Sequence, residues 1–199
     1  MKKFLFLVLI FTVTNSLQAQ HVDTIITDNN KNAISYKLIL EYGVSTGIER
    51  YYDKWQYGEE LRTAYSGLGL SLITINNIAF YDRFLLGIGV GIEYRSIMIA
   101  FPIELAGTCF LNFRYYFNRP EKVLTPMLNI AIGGRITKDF GVILVGNPWH
   151  LSGTRYGIYS TLGAGFKVKL FSLQGGIIFW TKENNLFGVD AMVKVGLNF

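Results

Sequence analysis

One cysteine, four prolines and two histidines stand among 199 residues, and only 17% of the chain is charged. The lone Cys109 excludes a disulfide scaffold. Two histidines, His21 near the start of the chain and His150 in a long expected loop, cannot build a convincing metal site, and no cofactor is expected. A charged share near 25% is usual for a soluble domain, so charge is scarce here. With half the residues hydrophobic, disorder is excluded, because such a chain can bury ample apolar surface. The net charge of +5 and a pI near 9.2 would suit nucleic acid, but the bases are scattered, so no nucleic-acid partner is expected. Long hydrophobic runs are missing too. Phe4 to Val13 is about ten residues, whereas a spanning helix needs about 20, and Phe84 to Ile92 is broken by glycines before Glu93.

What the chain does hold is 21 glycines, 15 phenylalanines and 12 tyrosines. It opens with Lys2 and Lys3, the apolar run Phe4 to Val13, and Leu17-Gln18-Ala19. This three-part order reads as a secretory signal peptide over residues 1–19, with cleavage after Ala19. A membrane-anchor helix is the alternative, and the run is short for it. No cysteine follows the apolar run, so a lipoprotein is not expected. Residues 20–36 read as a polar lead-in.

Beyond the leader the hydrophobic period is two. In 103–117, Ile103, Leu105, Gly107, Cys109, Leu111, Phe113, Tyr115 and Phe117 fall on one face, and Glu104, Thr108, Asn112 and Arg114 on the other. Strict alternation marks a strand, yet this one is far longer than the roughly 5–6 residues usual in globular sheets. Stretches 38–48, 64–75, 84–95, 123–136, 155–169, 171–181 and 187–199 repeat the pattern, which makes eight strands. Ile39, Ile73, Ile75, Leu85 and Ile178 break phase onto the polar face and are expected near a rim or packed across a lumen.

Strands of this length with an apolar outer face suit a bilayer, which takes about 9–11 tilted residues to cross. In lipid a sheet edge cannot stay unpaired, so the strands must close. The expected fold is all-β, an eight-stranded antiparallel up-and-down transmembrane β-barrel over residues 37–199. A wide porin is excluded by length. A soluble lipocalin-like barrel, the fold alternative, would carry its charge outside. An even strand count places both termini on the periplasmic side. Outer connections are then expected near 52–63, 96–101, 137–154 and 182–186, and periplasmic ones near 76–83, 118–122 and 170–171. Tyr51, Tyr52, Trp55, Tyr57, Tyr94, Phe101, Trp149, Tyr156, Trp180 and Phe187 are expected in an outer aromatic belt. Phe80, Tyr81, Phe84, Tyr115, Phe117, Phe171 and Phe199 are expected in a periplasmic one.

A leader ending in Gln18-Ala19-Gln20, eight amphipathic strands and a terminal Phe199 resemble the small eight-stranded outer-membrane β-barrel proteins of Gram-negative bacteria, the OmpA/OmpX-like group. The stretch Phe113-Arg114-Tyr115-Tyr116-Phe117, a polar turn, and Leu124 to Gly134 are similar to its Bacteroidota members. Alternating Val193, Val195, Leu197 and Phe199 resemble the assembly signal read by the outer-membrane assembly machinery. The resemblance implies the bacterial outer membrane as location and its lipids and assembly machinery as partners. It does not imply one activity. The peptidoglycan-binding domain of some OmpA-like proteins is not expected here.

The inward set contains Glu41, Glu49, Glu93, Glu104 and Asp190 against Lys37, Arg95, Arg114, Arg135, Arg155, Lys167, Lys169 and Lys194. Unpaired buried charge is costly, so these are expected to form an ion-pair network that fills the lumen. The expected function is structural or surface-interacting, with outer loops meeting a surface ligand. The excess of base leaves a narrow, porin-like channel as the alternative. A lipid-modifying enzyme is a third reading, with His150, Ser152 and Asp139 its only candidate group; no catalytic residue is assigned. Gly87-Ile88-Gly89-Val90-Gly91 lacks the third glycine spacing of a dinucleotide loop and reads as strand interior.

Overall fold

A computed structural model describes residues 34–55, 58–96, 103–118, 123–140, 154–182 and 186–199. They form eight strands: β1 (Ile34–Trp55), β2 (Gly58–Phe80), β3 (Phe84–Ser96), β4 (Ile103–Tyr116), β5 (Thr125–Phe140), β6 (Thr154–Val168), β7 (Phe171–Lys182) and β8 (Leu186–Asn198). Each pairs antiparallel with its chain neighbours, and β8 pairs with β1, so the sheet is a closed up-and-down barrel. The signal peptide and most of the lead-in lie outside the described residues.

The alternating stretches became strands because each puts its apolar set outward and its small or polar set inward. Ile88 and Ile158 are 58% exposed, while Arg114 is wholly buried. This inverts the soluble pattern and removes the lipocalin-like alternative. An exterior of Ile, Leu, Val and Phe is the surface expected of a wall that faces hydrocarbon.

The strands differ from the sequence reading at their ends. β1 and β2 run on through most of the connection expected near 52–63. The link expected at 76–83 is mostly strand as well. Asn76 and Asn77 look like turn residues, yet they pair with Ile88 and Gly87, and only Tyr81 to Arg83 remain as the turn. Tyr81 and Asp82 take positive φ of 51° and 54°, and the Arg83 N–H donates to the Phe80 carbonyl at 3.1 Å. β5 continues to Phe140, which shortens the expected 137–154 connection. Ile34 to Tyr36, expected in the lead-in, begin β1. One bulge interrupts the β1–β2 ladder between Thr46 and Ile48, where β2 carries an extra residue at Gly67 with φ 82°, an angle that glycine reaches without strain.

Register sets the girth. Partners followed from Ala164 through Gly175, Val193, Val44, Leu70, Tyr94, Leu105 and Lys138 return to β6 at Thr154, ten residues away. With eight strands, that stagger corresponds to a tilt of roughly 43°, within the usual range for closed barrels. The bore is therefore narrow enough for side chains to fill.

Ile39, Ile73, Ile75, Leu85 and Ile178 all turn inward and are nearly inaccessible. They join Phe110, Tyr116, Met127, Tyr159, Trp180 and Met192 in one buried cluster inside the barrel. Trp180 corrects an expectation. It sits near a strand end but inside, with the same parity on β7 as Ser172 and Gln174, rather than in an aromatic belt. Tyr94, Tyr156 and Phe187 at one end, and Tyr81, Phe84, Tyr115, Phe117, Phe171 and Phe199 at the other, do face outward.

Gly133 shows how tightly the wall coils. A Cβ there would lie 2.0 Å from the Cys109 carbonyl oxygen on β4, whereas one on outward-facing Gly107 meets nothing within 4 Å. Gly133→Ala should therefore destabilise the barrel by about 1–3 kcal/mol through forced strand separation, while Gly107→Ala should stay within about 0.5 kcal/mol of the parent. Urea unfolding of both variants in lipid vesicles checks this; equal midpoints would refute the close approach.

Candidate functional site

The inward face carries two knots of charge separated by apolar packing. Nearer the end where β1 begins and β8 ends, Arg114 of β4 donates through Nη2 to Glu41 Oε1 of β1, and Lys194 Nζ of β8 lies 3.8 Å from Glu41 Oε2. All three are buried. One carboxylate thus faces two cations on different strands, each brought in by the inward phase of its own strand. Asn112 donates to Asn77 at 3.2 Å beside this knot. Closer still to the chain ends, the Tyr116 hydroxyl donates to Asn198 Oδ1 at 3.3 Å, and Asn198 Nδ2 donates to Ser172 Oγ at 3.1 Å.

The second knot lies toward the other end. Arg95 of β3 donates to Glu93 Oε1 at 2.5 Å and to Asp190 Oδ2 of β8. Arg135 of β5 donates to Glu104 Oε1 of β4 at 2.6 Å and lies 3.6 Å from Glu93 Oε2. Trp180 Nε1 donates to Asp190 Oδ2 at 3.0 Å. The Arg95 and Arg135 guanidinium carbons stand 5.2 and 4.7 Å from the centroid of its indole. That ring serves the cations as a π face and the carboxylate as a donor at once, which suits a group withdrawn from water.

Between the knots, Phe110 lies on β4 between Glu104 and Arg114, and Met192 on β8 between Asp190 and Lys194. Phe110 and Tyr159 rings meet at 5.5 Å. At the end where β1 begins and β8 ends, a cavity of about 10 Å³ lies among Lys37, Asp82, Leu85, Tyr116, Lys167 and Asn198. The inward side chains pack against one another across the bore.

Of the sequence-derived lumen set, Glu41, Arg114 and Lys194 come together, and so do Glu93, Arg95, Glu104, Arg135 and Asp190. Lys167 stands apart, half-buried, its ammonium 5.4 Å from the Tyr116 ring centroid. Lys37 is a half-exposed partner of Asp82 at 3.6 Å. Lys169 is outside the lumen, exposed in the β6–β7 turn at φ 52°. Arg155 is half-buried on β6, opposite Thr137. Glu49 pairs through its backbone with Ala64 and Gly188, and its side chain is outside the described residues. Val193, Val195 and Phe199 face outward, with Leu197 half-covered. Sequence reasoning missed Trp180, Tyr159 and Phe110 as lumen groups. Their parity with inward polar neighbours was the available signal.

The Asp139 side chain, His150 and Ser152 lie outside the described residues. Among the described residues, no three His, Cys, Asp or Glu side chains come together to hold a metal.

Neisserial surface protein A aligns with a TM-score of 0.51 at 10% identity, covering 84% of this chain and all of that one. The outer membrane protein OprG from Pseudomonas aeruginosa aligns at 0.50 and 13% identity, covering 86% of this chain and 99% of that one. The fold is that of small outer-membrane barrels. At these identities the likeness concerns fold alone. No protein-family model and no curated sequence matches the chain.

The knot around Glu41 makes an asymmetric prediction. Glu41→Gln leaves Arg114 and Lys194 buried without their shared anion, and should cost about 3–5 kcal/mol. Arg114→Met leaves Glu41 with Lys194 as a neutral pair and should cost clearly less. Urea midpoints in vesicles give the order, and a costlier Arg114→Met would contradict it.

Proposed function

We propose that the chain is exported by its signal peptide to the bacterial outer membrane and acts there as a sealed barrel with a structural or surface-interaction role. The observation that carries this reading is the packed lumen. Two charge knots, the Trp180 ring and the Phe110–Tyr159 pair occupy the bore. Moving an ion through would require breaking buried pairs in series, each strongly unfavourable to break. A surface ligand would meet the connections opposite the end where β1 begins and β8 ends. Membership of the OmpA/OmpX-like group, in its Bacteroidota form, accords with the strand count, the leader and the terminal Phe199.

Planar-bilayer recording of the refolded protein should show no stepwise openings. Discrete unitary conductance would overturn the sealed reading in favour of the narrow channel.

Val193, Val195, Leu197 and Phe199 are proposed as the signal for the assembly machinery. Phe199 supplies its backbone to the β1 seam, while its ring projects outward. Phe199→Ala should therefore lower the yield of assembled barrel in the outer-membrane fraction several-fold, yet leave the urea midpoint of refolded protein within about 0.5 kcal/mol. An unchanged yield would remove the signal role.

A further inference from the structure

The mouth of the barrel where β1 begins and β8 ends is basic. Lys37 of β1, Asp82 of the β2–β3 turn and Lys167 of β6 line one small cavity with Tyr116 and Asn198, so charge reaches over the mouth from opposite sides of the ring. Asp82 is tied to the start of β1, pairing with Lys37 at 3.6 Å and accepting from the Ser35 hydroxyl at 3.2 Å. Arg83 and Lys169 stand exposed on the same rim. Among the described residues no carboxylate pairs with Arg83, Lys167 or Lys169, and the Lys167 ammonium has the Tyr116 ring as its contact. The β4–β5 connection adds Arg119 and Lys122 against Glu121. Two apolar side chains are also exposed at this rim, Leu170 in the β6–β7 turn and Val123 just before β5. The Leu170 carbonyl accepts from the Asn198 N–H at 2.7 Å and from Asn198 Nδ2 at 3.1 Å, which holds that turn against the end of β8.

We propose that residues 20–33, which lie outside the described residues, fold back over this mouth as a cover, with Asp23 and Asp28 on its cations and Ile25-Ile26 against Leu170 and Val123. The segment enters β1 at Ile34, on the same rim and opposite Phe80. It carries two acids, Asp23 and Asp28, against one base, Lys31, so its charge complements that of the mouth. Ile25 precedes Ile34 by nine residues, a reach of up to about 30 Å. A ring of eight strands about 4.8 Å apart at this tilt is roughly 17 Å across, so the segment can cross it. Setting Ile25-Ile26 on Leu170 and Val123 withdraws apolar surface of both from water. A second copy cannot take the place of the segment, because barrels inserted alike in one membrane turn this end to the same side. The proposal rests on the exported-barrel reading above, since cleavage after Ala19 is what frees the start of the segment.

The test is photo-cross-linking of the full chain purified from the outer membrane, with p-benzoylphenylalanine in place of Ile25 and the linked peptides mapped by mass spectrometry. The chain should link to itself, at peptides that hold Leu170 or Val123. Asp23→Lys with Asp28→Lys should lower that yield several-fold, the worth of two exposed ion pairs, and adding Lys167→Glu with Lys169→Glu should restore it. Where Lys167→Glu disturbs the packed mouth, Arg83→Glu with Lys169→Glu supplies the reversal at exposed positions alone. Links confined to lipid, to a second chain or to another protein overturn the cover. So does a yield that the aspartate changes leave unaltered, or a reversal that restores nothing in a folded chain. Intact mass and heat-modifiable gel mobility are read on each sample. A heat-modifiable chain that starts at Gln20 and gives no link to itself sinks the cover alone. A chain that retains residues 1–19, or whose mobility never shifts, sinks the exported-barrel reading and the cover with it.

Discussion

The seam between β1 and β8 is the constraint on which everything else depends. The Phe199 N–H donates to the Leu38 carbonyl at 2.8 Å, and the Leu38 N–H donates to the Phe199 carbonyl at 3.2 Å. Twelve further register pairs continue the seam from Ile39–Asn198 to Arg50–Phe187. Without it, two strand edges would present rows of unpaired amides, which in hydrocarbon would cost several kcal/mol for each group. Closure also fixes curvature, and curvature decides what can stand inside.

The interior solves a volume problem. A stagger of ten residues over eight strands leaves a narrow bore, and large inward groups fit only opposite small ones. The Phe110 ring lies over Gly89, the Trp180 indole over Gly188, and the Gln174 amide over Gly163. The glycines on the polar faces are thus the complement of a few bulky residues. Gly107 and Gly134, on the outward face, have no such partner and shape the outer surface instead.

Burial of so much charge is tolerable because each knot is shared. Glu41 serves two cations, and Arg95 serves two carboxylates. Pairing within a low-dielectric lumen is strong, and its loss is severe because the orphaned partner stays buried. The apolar layer of Ile73, Phe110, Tyr159, Ile178 and Met192 keeps the knots from merging into a hydrated path. Ile73 and Ile178, two of the isoleucines that broke the alternation, belong to this layer.

The strand count, the inward or outward face of most residues and the closed class were legible in the sequence, because a period of two repeats whatever the strand's neighbours are. The limits of β1, β2 and β5 were less so. Asn76 and Asn77 have turn chemistry, but cross-strand partners on β3 held them in the ladder. Trp180 was placed in a belt by its nearness to a strand end, although its parity with Gln174 pointed inward. Which inward charges meet was not legible at all. Arg95 and Asp190 are 95 residues apart in the chain, and their contact depends on the tilt and on the closing stagger, quantities that belong to the ring of strands as a whole. Alternation is a local property and is written in each segment. The pairing of charges across the bore is set by the register at which the last strand returns to the first, and only the closed tertiary structure decides that.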